Sequence, residues 1–172
     1  MKRIAIGFSA LVVTASLAAC GGGGGDALSK EAYEDKVAGV GSTLAAAFEE
    51  LAVEADALAG DEVASGDDLR ELTEQLSTLV GDAADSVGAA AEDLDGVTPP
   101  EDAQAANDQL VEGLQALLED VDAVQGALDE GDFASVLDLA PRLQEIAGSE
   151  AGLAISNAIE ELRAKGYEVD PE

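Results

Sequence analysis

Cys20 is the only thiol in a chain of 172 residues, and the residues before it set its chemistry. Met1-Lys2-Arg3 is basic, the stretch from Ile4 to Ser16 is mostly apolar, and Leu17-Ala18-Ala19 leads directly into the cysteine. This is the layout of a secretory signal: a basic segment kept on the cytoplasmic side, an apolar segment that enters the bilayer, and small residues around which a membrane peptidase can close. The apolar run is too short for a permanent transmembrane helix, which needs roughly 20 residues. The remaining groups that could do chemistry are acids, 37 Asp and Glu against 8 Lys and Arg, with no histidine. Without histidine there is no His-based metal site, no Ser-His-Asp nucleophile and no Glu-x-x-His di-iron motif. Neither a P-loop nor a dinucleotide fingerprint occurs, and Gly21 to Gly25 lies outside any strand-turn-helix setting that could cradle phosphate. Glu92-Asp93-Asp95, Glu119-Asp120-Asp122 and Asp129-Glu130-Asp132 could collect Ca²⁺ or Mg²⁺ through carboxylate oxygens, but none follows the EF-hand pattern. They are expected to be solvated faces and turns, with Asp132 starting a helix, and to attract divalent cations only weakly and without specificity. No carboxylate pair stands out as a glycosidase-type couple, so no catalytic residue, cofactor or metal ligand is assigned and the protein is expected not to be an enzyme.

Leu17-Ala18-Ala19-Cys20 resembles the lipobox of bacterial lipoproteins. The resemblance implies that the Cys20 sulfur is alkylated with diacylglycerol, that the chain is cut before it, and that Cys20 becomes an acylated first residue bearing palmitate-like chains. Two or more buried chains, at about 0.8 kcal/mol per CH₂, hold a protein stably where one would not. The expected location is therefore the extracytoplasmic face of the cell membrane, with the membrane itself as partner. Cleavage at an ordinary secretory site among Ala15, Ala18 and Ala19, leaving a free thiol, is the alternative; the placement of the single cysteine favours the lipid.

Removing residues 1–19 takes Lys2 and Arg3 from the 8 basic residues, which leaves 6 against 37 acidic and a formal charge of −31. Such a surface repels nucleic acid and anionic headgroups, so neither is an expected partner. A lone cysteine makes no internal disulfide, so the fold must rely on packing. Residues 20–27 form the lipidated cysteine and a Gly-rich tether with a reach of about 15 Å. Residues 28–168 form one acidic helical domain, and 169–172 a short tail.

Four helical segments must supply whatever positions a site. Tyr33, Val37, Val40, Leu44, Phe48, Leu51, Ala55 and Leu58 step by three and four, the spacing of one helix face. Leu69, Leu72, Leu76, Leu79, Ala83, Val87, Ala90 and Leu94 do the same, with Ser65 and Asp68 placed as a capping box. Thr98-Pro99-Pro100-Glu101 predicts the start of a third helix, with Thr98 as cap and Pro99 at the first helical position. This helix carries Ala103, Leu110, Leu114, Leu117, Val121, Val124 and Leu128; Asn107 could be a buried, register-setting amide on that stripe, but a flanking, solvated position is expected. The fourth begins at Asp132, presents Phe133, Val136, Ala140, Leu143, Ile146, Ile155, Ile159 and Leu162, and ends at Gly166, after which Tyr167 could fold back onto the apolar face. Pro141 cannot donate to the Leu137 carbonyl and crowds it, so a kink near Pro141 is expected. A second weak point is Gly148-Ser149, where Ser149 could cap a new segment.

The expected fold is an all-α, antiparallel up-down-up-down four-helix bundle with a thin, Ala-rich core. Ser29-Lys30-Glu31-Ala32-Tyr33, Val97-Thr98-Pro99-Pro100-Glu101-Asp102, Gly131-Asp132 and Gly166-Tyr167 together resemble the small, Ala-rich helical lipoproteins of high-GC Gram-positive bacteria. That resemblance implies location and architecture and no activity. A lipid-anchored, extracytoplasmic interaction or envelope-associated module is the expectation. The alternative is a carrier holding a small apolar or cationic ligand between the helices, which a deep apolar cavity would favour.

Overall fold

Ser29 starts the first helix. Its hydroxyl accepts from the Ala32 amide at 3.2 Å and its carbonyl from the Tyr33 amide at 3.0 Å, so it serves as N-cap. The computed structural model describes residues 27–59, 66–129, 145–146 and 148–169. Its long elements are α1 (Lys30–Ala59), α2 (Gly66–Asp95), α3 (Gln104–Asp129) and α4 (Glu150–Ala164), with no strand among the described residues. The protein is an all-α four-helix bundle.

α1 packs on α2, α2 on α3, and α3 on α4. Asn107, early in α3, reaches the carbonyl of Leu94 late in α2, whereas Asp129 at the other end of α3 accepts from Ser77. These two helices therefore run in opposite directions. α3 and α4 do likewise: Gly113 lies beside Ala151 and Ile155, and Lys165, just past α4, bonds the carbonyl of Asp102, just ahead of α3. The start of α1 sits at the end of α2, where Lys36 pairs with Asp93 at 2.8 Å and the Leu28 amide donates to the Thr98 carbonyl at 2.8 Å.

The core follows the apolar stripes. Every expected apolar position of the third segment is buried, and α3 buries Ala106, Val111 and Gly113 as well, because it has neighbours on two sides. α2, between α1 and α3, widens its face in the same way: Val80, Ala84 and Ala91 are buried, while Leu72 and Leu79 are only partly covered. On α1, Tyr33, Val37, Val40 and Leu51 are buried and Leu44 and Phe48 half so; the side chains of Ala55 and Leu58, like that of Leu69, lie outside the described residues. α4 contributes Ala151, Ala158 and Leu162, with Ile155 and Ile159 at its edge. Val169, placed in the tail by sequence, is only 2% exposed, so the core extends at least that far.

The third helix begins later than the sequence suggests, and the fourth segment is broken at Ser149. Thr98 is exposed and does not cap α3. The chain has no regular structure through Pro100, makes one turn closed by the Ala103 amide on the Pro100 carbonyl at 2.8 Å, and becomes helical at Gln104. Pro100 is the cause: a residue before proline is driven out of helical geometry, so Pro99 cannot serve as a first helical residue. Residues 130–144, which hold Phe133, Val136, Ala140, Pro141 and Leu143, lie outside the described residues, and with them the expected kink. Among the described residues, the helix expected to run through position 149 is interrupted there. Ser149 takes extended backbone (φ −67°, ψ 170°), its hydroxyl accepts from the Gly152 amide at 3.4 Å, and α4 starts afresh at Glu150. The serine supplies an acceptor for amides freed at a helix start.

Candidate functional site

Leu17, Ala18, Ala19 and Cys20 lie outside the described residues. Leu28, partly buried against the core and hydrogen-bonded to Thr98, is the first point at which the described chain is tied to the bundle.

That end of the bundle holds its polar interior. Gly166 adopts φ +83°, a conformation glycine takes at little steric cost. This lets the Gly166 amide bond the Arg163 carbonyl and the Tyr167 amide bond that of Leu162, the paired bonds of a Schellman ending. Tyr167 is thereby folded inward, 3% exposed, and meets Tyr33 edge to face with ring centroids 5.8 Å apart. The Tyr33 hydroxyl donates to Asn107 Oδ1 at 3.1 Å, and Asn107 Nδ2 donates to the Leu94 carbonyl at 3.3 Å. Asn107 is 4% exposed, so the solvated position expected for it is corrected: it is the core amide that joins α1, α2 and α3. The Tyr167 hydroxyl donates to Asp102 Oδ1 at 2.7 Å. Lys30 stands 5.0 Å over the Tyr167 ring and donates to the Gly166 carbonyl, while Glu34 accepts from the Glu168 amide at 2.9 Å. The segment after α4 thus straps the start of α1 to the rest of the bundle.

Burial, then the neighbouring Tyr167 and Asp108, raises the pKa of the Tyr33 hydroxyl. Burial, the hydrogen bond to Asp102 and the charges of Asp102 and Glu34 push that of Tyr167 up to about 12. Both stay protonated at neutral pH and act as hydrogen-bond donors.

Among the described residues, two of the open grooves lie between neighbouring helices. The first, about 520 Å³, lies between α1 and α2. Asp35, Gly39 and Thr43 form one wall, Asp85, Ala89 and Asp93 the other, and Val40 and Ala90 are buried in the floor. The second, about 670 Å³, lies between α2 and α3 and is mainly polar, lined by Asp82, Asp85, Glu92, Asp122 and Gln125. Among the described residues no three acids converge to hold a metal ion. The acid clusters are divided instead: Asp93 pairs with Lys36, Asp129 accepts from Ser77, and Glu130 and Asp132 lie outside the described residues.

The tyrosine-asparagine junction and the first groove were not assigned from sequence. Asn107 carries a signal in hindsight, since it shares a stripe with Ala103 and Leu110. The groove depends on small residues facing one another across two helices, which one-dimensional spacing does not reveal. The fold and its grooves define an acidic helical bundle with a tyrosine-sealed end and surface clefts. No protein-family model matches the chain, and no curated protein or solved structure shows significant similarity to it.

Proposed function

We propose that the protein is a lipid-anchored, extracytoplasmic interaction module of the bacterial cell envelope, without enzymatic activity. The observation that carries this reading is Cys20 itself: a single thiol directly after Leu17-Ala18-Ala19 and directly before the run Gly21 to Gly25. Acylation there would hold the bundle close to the membrane, while its acidic surface keeps it off anionic headgroups. The tether would enter the fold beside Leu28, at the end sealed by Tyr33 and Tyr167. The helix surfaces beyond that end would then face outward. Open grooves support docking at the surface more than a carrier's enclosed ligand.

Expression of the full chain in a bacterial host, with labelled fatty acid and detergent phase partition, tests the anchor. Wild type is expected to incorporate label and enter the detergent phase, and Cys20→Ala to lose both. Equal partition of the two would overturn the reading.

A further inference from the structure

We propose that the groove between α1 and α2 docks a basic amphipathic helix of a partner protein. The inference names the surface and the partner chemistry of the interaction module proposed above, and rests on that reading.

The groove is a gap that the described residues leave open. Two helices packed side by side ordinarily fill the space between their ridges with side chains. Here Gly39 stands midway along the α1 ridge and Ala89 midway along that of α2, and a Cβ built on Gly39 would meet no atom within 4 Å. The floor beneath is apolar, with Val40 9% and Ala90 5% exposed. The hydroxyls nearby have their protons engaged within their own helices, Thr43 donating to the Gly39 carbonyl at 3.0 Å and Ser86 to that of Asp82 at 2.9 Å, so they offer a ligand acceptors only. The middle of the groove therefore favours an apolar occupant.

Its ends favour a cation. Lys36 shows the mode within the molecule itself: it lines the groove and crosses from α1 to pair with Asp93 on α2 at 2.8 Å. Asp35 on one wall and Asp85 on the other have no ion pair with a described residue. From Asp35 to Thr43 is two helical turns, about 12 Å at 1.5 Å per residue. On a docked helix the same span separates positions i and i+7 or i+8 of one face. Lys or Arg at those positions, with apolar residues between them, would meet the carboxylates and cover the floor at once. A second copy of this chain would bring acid against acid, and nucleic acid or an anionic bilayer would do the same, given a net charge of −29. A contact two turns long, with exposed ion pairs at its rim, belongs to weak, salt-sensitive association.

The test uses the full chain in nonionic micelles, with empty micelles as blank. A labelled, Ala-based helical peptide carrying Lys at i and i+7 and Leu between them is titrated by fluorescence anisotropy, beside its Glu-for-Lys counterpart. The Lys peptide is expected to bind and the Glu peptide not to. Asp35→Asn together with Asp85→Asn should weaken binding by roughly tenfold. Glu92→Gln with Asp122→Asn removes the same charge from the second groove and should change it less than about twofold. Gly39→Leu, which fills the gap, should abolish binding while leaving the thermal melt intact or raised. Equal affinity in all variants would show only attraction to a polyanion and overturn the groove; so would wild-type binding by Gly39→Leu. Phase partition of the same samples reads the anchor separately. A chain that partitions without binding overturns the docking proposal alone, and one that binds without partitioning overturns the lipid anchor alone.

Discussion

Removing the carboxamide of Asn107 should cost the bundle more than removing any surface group. Tyr33 is 0% and Asn107 4% exposed, and the amide serves two partners: the Tyr33 hydroxyl at 3.1 Å and the Leu94 carbonyl at 3.3 Å. Leu94 lies in the last turn of α2, where carbonyls have no following helical donor. Asn107→Ala strands both groups in the interior. At about 1 kcal/mol for each lost bond, and about 1–3 kcal/mol where a buried group is left without any partner, the loss should be about 2–4 kcal/mol. Tyr33→Phe removes only the donor and keeps the ring against Tyr167, so about 1–2 kcal/mol is expected. Tyr33→Phe with Asn107→Ala removes the stranded hydroxyl along with the amide, so its cost should fall below the sum of the two single changes by about 1 kcal/mol. Urea unfolding followed by circular dichroism at fixed ionic strength measures all four corners of the cycle, provided the slope of free energy against urea is unchanged. Additive single changes, or a Tyr33→Phe chain as stable as wild type, would refute the claim that this bond holds the junction.

Glycine substitutions should separate the helix pairs. Gly113→Ala places a Cβ 2.8 Å from Ile155 Cγ1 and 3.3 Å from its backbone nitrogen, so α4 must shift at a cost of about 1–3 kcal/mol, whereas Gly39→Ala, with nothing nearby, should gain about 0.5–1 kcal/mol in the same urea assay. Ser149→Ala should cost about 1 kcal/mol and Thr98→Ala less than about 0.5 kcal/mol, since only the serine caps its helix; the reverse order would restore Thr98 as the start of α3. Tyr167 is held up to about 12 in the fold against 10.0 when free, so between those values the unfolded chain has released a proton that the native state keeps, and stability should fall as pH rises through the interval. A melt unchanged across that range would place the Tyr167 hydroxyl in solvent. Raising salt from near zero to about 0.1 M, where the screening length is about 10 Å, should lift the melting temperature, because 37 acids face 8 basic residues and the ion pairs of Lys30, Lys36 and Lys165 are exposed.

What could be read from sequence was what local spacing controls. The α3 stripe is fully buried because threes and fours place Leu110 through Leu128 on one face whatever the neighbours are. Gly166-Tyr167 behaved as its chemistry requires, since a helix end with glycine beyond it can turn back only through the left-handed region. Thr98-Pro99-Pro100 shows a competing local rule: the cap, the proline and the glutamate all match a helix start, but Pro100 forbids the helical geometry that Pro99 would need. At Gly148-Ser149 the signal was visible as the weaker of two breaks, and the cap at Ser149 is what realised it.

The site lay beyond that reach because it is built between helices. Asn107 is buried because Tyr33, 74 residues away, brings a hydroxyl to it, and Tyr33 is held in turn by a tyrosine at the far end of the chain. The α1–α2 groove likewise exists only because Gly39 and Ala89 fall opposite each other once the helices are side by side. Both features lie toward the end where Leu28 joins the fold. If Cys20 is the anchor proposed above, a pull on the tether would be borne by the Leu28–Thr98 bond and the tyrosine strap rather than by the Ala-rich core. The groove walls would start one to two turns from the same point, within the tether's reach of the membrane. Sealing and docking would then share one end of the bundle: the strap that ties Gly166 to Lys30 also fixes the first turns of α1, and those turns carry Asp35, Lys36 and Gly39. Weakening the strap should therefore weaken docking even where no groove residue is changed.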